Sequence, residues 1–205
     1  MSVNLVKGQK VELRKENGGS LTKVMVGLGW DEAQPERKGG FLSSLFAAEP
    51  DAIDCDASAF LCQNGRIVNK TDIVYFGNLT HKSECVRHMG DNLTGAGDGD
   101  DEQIMVDLSK IPANIERIAF TVTIYDAELR RQNFGQVSNA YIRIVDMVTG
   151  QEIIHYDLGE DFSIETAIVV GEIYKRDGNW KFNAIGSGFQ GGLAALCGHY
   201  GIEVA

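Results

Sequence analysis

The residues best suited to chemistry lie in one glycine-rich segment, the acidic loop, which runs from Gly90 to Glu102. Between Asp91 and Glu102 it holds five carboxylates and three glycines but no basic residue. Two carboxylates about 5 Å apart repel each other by roughly 3 kcal/mol at an effective dielectric constant of about 20. A solvated loop escapes this repulsion because its side chains spread apart, whereas a loop folded onto the protein requires a cation. The composition therefore indicates either a cation site or an acidic turn exposed to water.

The donor atoms of the acidic loop favour Ca²⁺ over other metal ions. All of them are oxygens, because the loop contains neither His nor Cys, and its glycines allow tight turns that bring oxygens together. Ca²⁺ accepts about six to eight oxygen ligands in irregular geometry, whereas Mg²⁺ requires a stricter octahedron. The loop is not an EF-hand, since Leu93 and Gly95 stand where that motif needs side-chain oxygens and Ala96 replaces its glycine.

Two other segments offer carboxylates that could complete such a site. Asp31 follows Trp30 at the end of one predicted strand, and Asp54 and Asp56 lie on one face of another. Loops from distant parts of a sequence meet at the ends of a β-sandwich, so these side chains could reach the acidic loop. The alternative is that they are polar residues on exposed strand positions.

The elements that must position these residues are mainly strands. Apolar and polar residues alternate in Leu21–Trp30 and Ile53–Cys62, and the turn pairs Thr149-Gly150 and Asp177-Gly178 predict two hairpins. The two helical candidates are Ala127–Phe134 and Gly192–Tyr200. We therefore predict an all-β fold, an antiparallel β-sandwich of the C2-like, Greek-key type with two short helices. It is expected to form a single domain over residues 1–205.

The acidic composition narrows the partners and the compartment. The chain has 29 acidic and 19 basic residues, a formal net charge of −10 and a pI near 4.8. Nucleic acid and anionic lipid both attract basic proteins, so no nucleic-acid partner is expected and direct attraction to anionic lipid is disfavoured. The N-terminus lacks an apolar signal sequence, and no stretch is long and apolar enough to be a transmembrane segment. We expect a cytoplasmic protein.

Motifs for catalysis are missing from the sequence. Gly186–Gly191 has the spacing of a dinucleotide fingerprint, but only Gly192–Ala205 follows, which is too short for the remaining helix, strand and ribose-binding acid. The glycines are instead interpreted as a turn before the last helix. The four histidines lack metal-binding spacing, and the four cysteines form no CxxC pair and have apolar neighbours. We expect buried, reduced thiols and predict that the protein is not an enzyme.

The segment Glu32–Asp51 is interpreted as an insertion between two strands. Phe41, Leu42, Leu45 and Phe46 within it have helical spacing. This apolar turn either packs onto the sandwich as part of a surface loop or forms an exposed docking patch for a partner or a bilayer.

Together these features resemble the TerD family of tellurite-resistance and general-stress proteins. The matching stretches are Val26-Gly27-Leu28-Gly29-Trp30-Asp31, Asp54-Cys55-Asp56-Ala57-Ser58-Ala59, the acidic loop Gly90–Glu102, Ile111-Pro112-Ala113-Asn114, Thr121-Val122-Thr123-Ile124-Tyr125, Trp180-Lys181-Phe182 and Gly191-Gly192-Leu193-Ala194-Ala195-Leu196. They cover almost the whole chain, and the acidic loop and the Asp54–Ala59 stretch are the most specific.

This resemblance implies a cytosolic, calcium-binding β-sandwich, for which we expect two calcium ions. It implies a role in resistance to tellurite and other stresses, together with other tellurite-resistance or stress proteins, some of them membrane-associated. The predicted metal ligands are Asp31, Asp56, Asp91, Asn92, Asp98, Gly99, Asp100, Asp101 and Glu102.

Two hypotheses of different class describe the function. In the first, the protein is a non-enzymatic calcium-binding module whose calcium-filled end docks onto partner proteins. In the second, it is a peripheral membrane protein that uses calcium to bridge its acids to anionic lipid, with Phe41–Phe46 as an apolar anchor. A third idea, an enzyme that reduces tellurite with its thiols, is disfavoured because the cysteines lack a resolving partner or a basic setting.

Overall fold

Two six-stranded sheets form the body of the molecule. The computed structural model describes residues 2–15, 17–32, 52–90, 99–160 and 162–203. In spatial order, the first sheet contains β1 (Val3–Leu5), β10 (Gln151–Asp157), β9 (Val137–Asp146), β3 (Lys23–Glu32), β7 (Glu102–Asp107) and β6 (Val86–His88). The second sheet contains β2 (Lys10–Glu12), β12 (Asn179–Phe189), β11 (Ala167–Arg176), β8 (Arg117–Ile124), β4 (Cys55–Cys62) and β5 (Ile73–Val74).

Strand pairing is antiparallel almost throughout. Among the strands of the described ranges, only β1 and β10 run parallel, with Val3 opposite Ile154. The prediction of an all-β sandwich is confirmed, and this parallel edge departs from the predicted antiparallel arrangement. Local alternation could not reveal it, because the direction of a short edge strand depends on where the chain enters the sheet.

The two predicted hairpins are present. One turn, which ends at Gly150, joins β9 to β10, and Asp177 and Gly178 join β11 to β12. Asp177 and Gly178 have φ angles of 53° and 81°. Positive φ at both loop positions gives the turn a twist that matches the twist of the strands, which explains the Asp-Gly pair.

Among the residues that the structure describes, helical structure is limited to short segments. The α-helices are α1 (Ala127–Arg130) and α2 (Gly192–His199), and 3-10 helices cover Lys70–Asp72 and Phe134–Gln136. The predicted helix Ala127–Phe134 is interrupted, because Arg131 adopts a left-handed φ of 54° and ends α1. In the described part of the chain, no helix has the length and apolar character needed to cross a membrane.

The main core lies between the two sheets. Val24, Val26 and Leu28 on β3 are buried there, as the alternation of this strand predicts. Phe120 of β8 and Phe182 of β12 close the core from the second sheet. These side chains are completely withdrawn from solvent, so the hydrophobic effect that holds the sheets together is concentrated in this layer.

A second, smaller core lies on the outer face of the second sheet, beneath α2. Phe60 and Cys62 of β4 pack there with Leu196, Cys197 and Tyr200. The ring of Tyr200 meets that of Phe60 edge to face, with centroids 5.3 Å apart. β4 is therefore buried on both faces along most of its length, and only its first residues present polar side chains outward.

Candidate metal centre

One end of the sandwich carries the described residues among the predicted ligands. β3 carries Asp31 next to its last residue there, β4 begins there with Cys55 and Asp56, and β7 begins with Glu102. Hydrogen bonds across this end connect the acidic loop to β3 and to β4. We call it the acidic end. Loops from distant parts of the sequence thus meet as the sandwich architecture predicts.

A pocket of about 580 Å³ opens at the acidic end, on the side of the first sheet. Its oxygen-bearing lining residues include Asp31, Gly99, Asp101, Asn139 and Asp157. None of the described lining residues is His or Cys, so the pocket offers hard oxygen donors. The donor set is of the type that Ca²⁺ or Mg²⁺ accepts and that Zn²⁺ or copper does not favour.

Asp101 is the most buried carboxylate of this pocket, at 7% exposure. Its Oδ2 accepts a hydrogen bond of 2.7 Å from the Trp30 N–H, and its own N–H donates to the Leu28 carbonyl at 2.8 Å. Burial raises the pKa of Asp101, and the negative charges of Asp31 and Asp100 raise it further, against the effect of the Trp30 N–H. This carboxylate therefore lies in surroundings that a cation would stabilise.

A β-bulge places Asp31 in the same pocket. The pairing of β3 with β9 shifts between Gly29 and Asp31, and Asn139 on β9 has a left-handed φ of 52°. Such a bulge redirects side chains at the end of a strand. The Asn139 side-chain amide donates to Asp31 Oδ2 at 2.8 Å, which holds the Asp31 carboxylate toward the pocket.

Asp100 is engaged by an arginine. Its side chain is fully buried, and Arg143 binds it through two hydrogen bonds, Nε to Oδ1 at 2.7 Å and Nη2 to Oδ2 at 3.0 Å. The Tyr141 hydroxyl and the Gln103 amide each donate to the same carboxylate at 3.1 Å. This bidentate ion pair anchors the acidic loop on the outer face of the first sheet.

Two glycines of the Val26–Asp31 stretch make this arrangement sterically feasible. A Cβ atom at Gly27 would overlap the Asp100 carboxylate, and one at Gly29 would overlap the Tyr141 ring. Both glycines belong to β3, beside Arg143 and Tyr141 on β9. The Gly-x-Gly spacing therefore leaves room for the side chains of Asp100 and Tyr141 to pack directly against the backbone of β3.

Glu102 bridges the two sheets. Its side chain is almost completely buried, and Oε2 accepts a hydrogen bond from the Ala57 N–H of β4 at 2.5 Å and lies 3.2 Å from His88 Nε2. Burial lowers the pKa of His88, but the hydrogen bond and the charge of Glu102 outweigh burial and raise it. The Glu102 carboxylate thus connects β7, β6 and β4 at the point where the acidic loop ends and β7 begins.

The structure brings together only part of the predicted ligand set. Asp31, Gly99 and Asp101 share the pocket, whereas Asp56 lines a separate groove on the outer side of the second sheet. Three predicted ligands, Asp91, Asn92 and Asp98, lie outside the described residues, as does most of the Glu32–Asp51 insertion. Within the described ranges, no three His, Cys, Asp or Glu residues are close enough together to hold one metal ion. The three carboxylates that line the pocket, those of Asp31, Asp101 and Asp157, therefore stand too far apart to hold one ion without moving.

Sequence reasoning missed three residues of this end: Tyr141, Arg143 and Asp157. All three lie on the hairpin of β9 and β10, which the Thr149-Gly150 turn predicts. The hairpin alone does not reveal its neighbour in the sheet. Only the pairing of β9 with β3 places this hairpin beside the acidic loop.

The cysteines are poorly suited to redox chemistry. All four are buried and none is in a disulfide: Cys55, Cys62, Cys85 and Cys197. Burial is the main cause that raises the pKa of each thiol, to about 12 for Cys62, and nearby carboxylates raise that of Cys55 further. Since the thiolate is the reactive form, these thiols are poor nucleophiles at neutral pH.

Ser83, His81 and Asp72 have the order of a charge relay, but their surroundings are those of a structural turn. Ser83 Oγ lies 2.8 Å from His81 Nδ1, and His81 Nε2 lies 3.3 Å from Asp72 Oδ1. The Ser83 N–H already donates to His81 Nδ1, and the Glu84 N–H donates to the His81 carbonyl. The N–H groups that would have to stabilise an oxyanion next to Ser83 are thus occupied.

Fold and site define a class: a two-sheet β-sandwich that carries an oxygen-donor pocket at one end. Residues 1–200 match the TerD domain. The chain therefore belongs to the TerD family, as its motifs had indicated.

Named relatives support the family assignment along the whole chain. General stress protein 16U of Bacillus subtilis (strain 168) is 51% identical over 205 residues and covers 100% of both chains. Tellurium resistance protein TerD of Serratia marcescens is 45% identical over 206 residues, again covering 100% of both. A crystal structure of a homologue of telluride resistance protein (TerD) from Streptomyces coelicolor A3(2) matches with a TM-score of 0.65 and 21% identity, over 87% of this chain and 96% of that one. At that identity, the crystal structure supports the fold alone.

Proposed function

We propose that this TerD-family protein is a non-catalytic, calcium-binding module of the cytoplasm that acts in the stress response by docking onto partner proteins. The observation that carries the proposal is the pocket at the acidic end, which Asp31, Asp101 and Asp157 all line and whose described lining includes no basic side chain. Like charges so arranged favour the binding of a cation.

The donor chemistry of the pocket fits calcium. Asp31, Asp101 and Asp157 would supply carboxylate oxygens, and Asn139 and Gly99 offer carbonyl oxygens nearby. Asp91, Asn92 and Asp98 are the predicted ligands that would extend this set. Bound calcium would draw these carboxylates together, neutralise their charge, and tie the end of β3 to the end of β10 and to the acidic loop.

The other described residues among the predicted ligands, Asp100, Glu102 and Asp56, do not point freely into this pocket. Asp100 is held by Arg143, and Glu102 by the Ala57 N–H and by His88. Asp56 opens onto a different groove. They stay predicted ligands, and each would need a rearrangement of these contacts to reach a cation in the pocket.

Relatives named for tellurium resistance and for general stress motivate the stress-response part of the proposal. The raised pKa values of the buried thiols argue against thiol chemistry as the mechanism. A variant with all four buried cysteines replaced by Ala, which removes the thiols without burying new polar groups, is expected to keep tellurite resistance in a host that lacks its own homologue. Loss of resistance by a folded quadruple variant would instead point to a reaction of the thiols.

Calcium binding is tested by thermal unfolding during titration with CaCl₂ and, separately, with MgCl₂. At about 100 times the Kd, calcium should add about 2.7 kcal/mol to the free energy of unfolding. For a chain of this size, that corresponds to a rise in Tm of about 5–10 °C. No rise with calcium, or an equal rise with magnesium, would contradict the proposal.

The membrane hypothesis makes a different prediction. A protein that bridges to lipid through calcium sediments with anionic vesicles in calcium and stays in the supernatant in EGTA. We expect the protein to stay in the supernatant under both conditions, because carboxylates line the pocket and the net charge is −10. Calcium-dependent sedimentation would favour lipid over protein partners.

A further inference from the structure

A second concave surface, the outer groove, lies on the outer side of the second sheet at the acidic end. It has a volume of about 790 Å³ and runs between the end of β8, α1 and the start of α2. More of its lining is apolar than polar. Its size lies within the range of about 300–1,000 Å³ that is usual for binding pockets.

Three large apolar side chains of the outer groove face solvent. Phe76 is 50% exposed, Tyr125 is 45% exposed and Leu129 is 83% exposed. Single exposed apolar residues are common on protein surfaces, but several in one concavity mark an interaction site. Aromatic side chains are enriched at protein interfaces, and Tyr is among the residues that most often dominate the binding energy there.

The turn that presents Leu129 is held in an uncommon conformation. Asp126 and Arg131, on either side of α1, both have left-handed φ angles, 49° and 54°. The Gln132 N–H donates to the Ala127 carbonyl at 2.8 Å, and the Gln132 side chain donates to the Ala52 carbonyl at 3.3 Å. Left-handed residues other than Gly persist where the surrounding structure requires them, often at binding sites.

The charge around the outer groove is negative. The carboxylates of Asp56, Asp126 and Glu128 belong to its lining. Arg130 lies over the Tyr125 ring, 5.3 Å from its centroid. The N–H groups of Gly191 and Gly192 at the start of α2 donate to Thr166 Oγ1 and so do not attract an anion into the groove.

We propose that the outer groove binds a cationic, amphipathic segment of a partner protein. Apolar side chains of that segment would pack on Tyr125 and Leu129, and its Lys or Arg residues would face Asp126 and Glu128. A second copy of the chain is disfavoured, because each copy carries a net charge of −10, and an anionic bilayer is disfavoured by the same charges. The inference rests on the docking part of the proposed function and identifies its surface and its partner chemistry.

The test uses a dye-labelled peptide of about 16 residues, with Leu on one helical face and Lys on the other, titrated with the full-length protein. A matched peptide carries Glu in place of Lys. We expect the Lys peptide to bind and the Glu peptide not to bind. Failure of the Lys peptide to bind, or equal binding of both peptides, overturns the proposal.

Surface variants locate the binding site. Leu129→Ser should weaken binding of the Lys peptide at least about tenfold, because the peptide loses an apolar contact with the protein. Since Leu129 is exposed, the substitution leaves the core unchanged. Glu128→Lys should weaken it severalfold and reduce its dependence on salt. The matched controls are Val148→Ser in the β9–β10 turn, where the side chain is 64% exposed, and Glu203→Lys beyond α2. Both controls should bind like the wild type, and equal losses in the controls overturn the assignment.

Parallel titrations in calcium and in EGTA separate this proposal from calcium binding. Peptide binding without any calcium-dependent stabilisation would refute the calcium site but support the groove. Calcium-dependent stabilisation without peptide binding would refute the groove and leave the calcium proposal standing. Vesicle binding or self-association that Leu129→Ser abolishes would assign the groove to lipid or to a second copy and so overturn the proposal.

Discussion

Asp101 is the residue on which the calcium proposal depends most. Asp101→Asn keeps an oxygen for the Trp30 N–H but removes a charge that faces Asp31 and Asp100. In EGTA, we expect the variant to be at least as stable as the wild type, because a repulsion is relieved. In calcium, we expect it to be less stable than the wild type, because a ligand charge is gone. Thermal unfolding under both conditions measures this reversal.

The control for Asp101→Asn is Asp177→Asn, in the exposed β11–β12 turn. Asn tolerates the left-handed φ of that position, so the control should respond to calcium like the wild type. If Asp101→Asn lowers the Tm by the same amount with and without calcium, the carboxylate has a structural role and does not bind the metal.

Gly27 tests the placement of the acidic loop on the first sheet. Gly27→Ala puts a Cβ atom into the Asp100 carboxylate, so we expect a loss of about 1–3 kcal/mol in the free energy of unfolding. Gly198→Ala is the matched control, because nothing lies within 4 Å of its Cβ position in α2. There the same substitution should add about 0.5–1 kcal/mol. Equal effects in denaturant unfolding would contradict the position of Asp100.

At the scale of elements, the local sequence pattern and turn residues predicted individual strands and turns, but they did not predict the strand pairing that builds the site. The buried face of β3 and the hairpin at Asp177-Gly178 follow from alternation and from the φ preferences of Asp and Gly. The pairing of β3 with β9 does not, since it joins strands about a hundred residues apart in the sequence. That pairing creates the ion pair of Asp100 with Arg143, so the sequence indicated an acidic site but not what holds it.

The start of α2 is an element whose stability depends on a side chain of another segment. Thr166 Oγ1 accepts hydrogen bonds from the N–H groups of Gly191 and Gly192, at 3.1 Å and 3.0 Å. Thr166→Val keeps the shape but removes the acceptor, and should lower the free energy of unfolding by about 1–2 kcal/mol. Thr166→Ser retains the acceptor and should stay close to the wild type in denaturant unfolding. A Thr166→Val variant as stable as the wild type would contradict this role of the hydroxyl.

At the scale of the whole molecule, the acid side of the stability profile depends on carboxylates such as Asp72. Burial raises its pKa, but hydrogen bonds from Asn69, His81 and Lys82 outweigh burial and hold its pKa below the ordinary value. The folded state therefore favours the ionised form, so this stabilisation is complete above about pH 4 and is lost as the pH falls further. Asp72→Asn should lower stability at neutral pH and flatten the decline in acid, as measured by denaturant unfolding between about pH 3 and about pH 7. A decline as steep as in the wild type would contradict this role.

The acidic end gives the net charge of −10 a structural meaning. Five of the acidic residues lie in the acidic loop. Of the described ones, Asp101 is hydrogen-bonded to β3, Asp100 to β9 and Glu102 to β4. The two concave surfaces of this end then have separate tasks: the pocket with Asp31 and Asp101 would bind calcium, and the outer groove would bind a basic partner. The two surfaces are lined by different carboxylates, and both sets belong to the excess of acidic residues that gives the chain its negative net charge.

The most direct test of the calcium proposal is a calorimetric titration of Ca²⁺ into the metal-free protein, its Asp31→Asn/Asp101→Asn double variant and the Asp177→Asn control. We predict saturable calcium binding by the wild type and the control, unaffected by excess Mg²⁺, and binding weakened at least about tenfold in the double variant. Undiminished calcium binding by the double variant, or no binding by the wild type, would contradict the account.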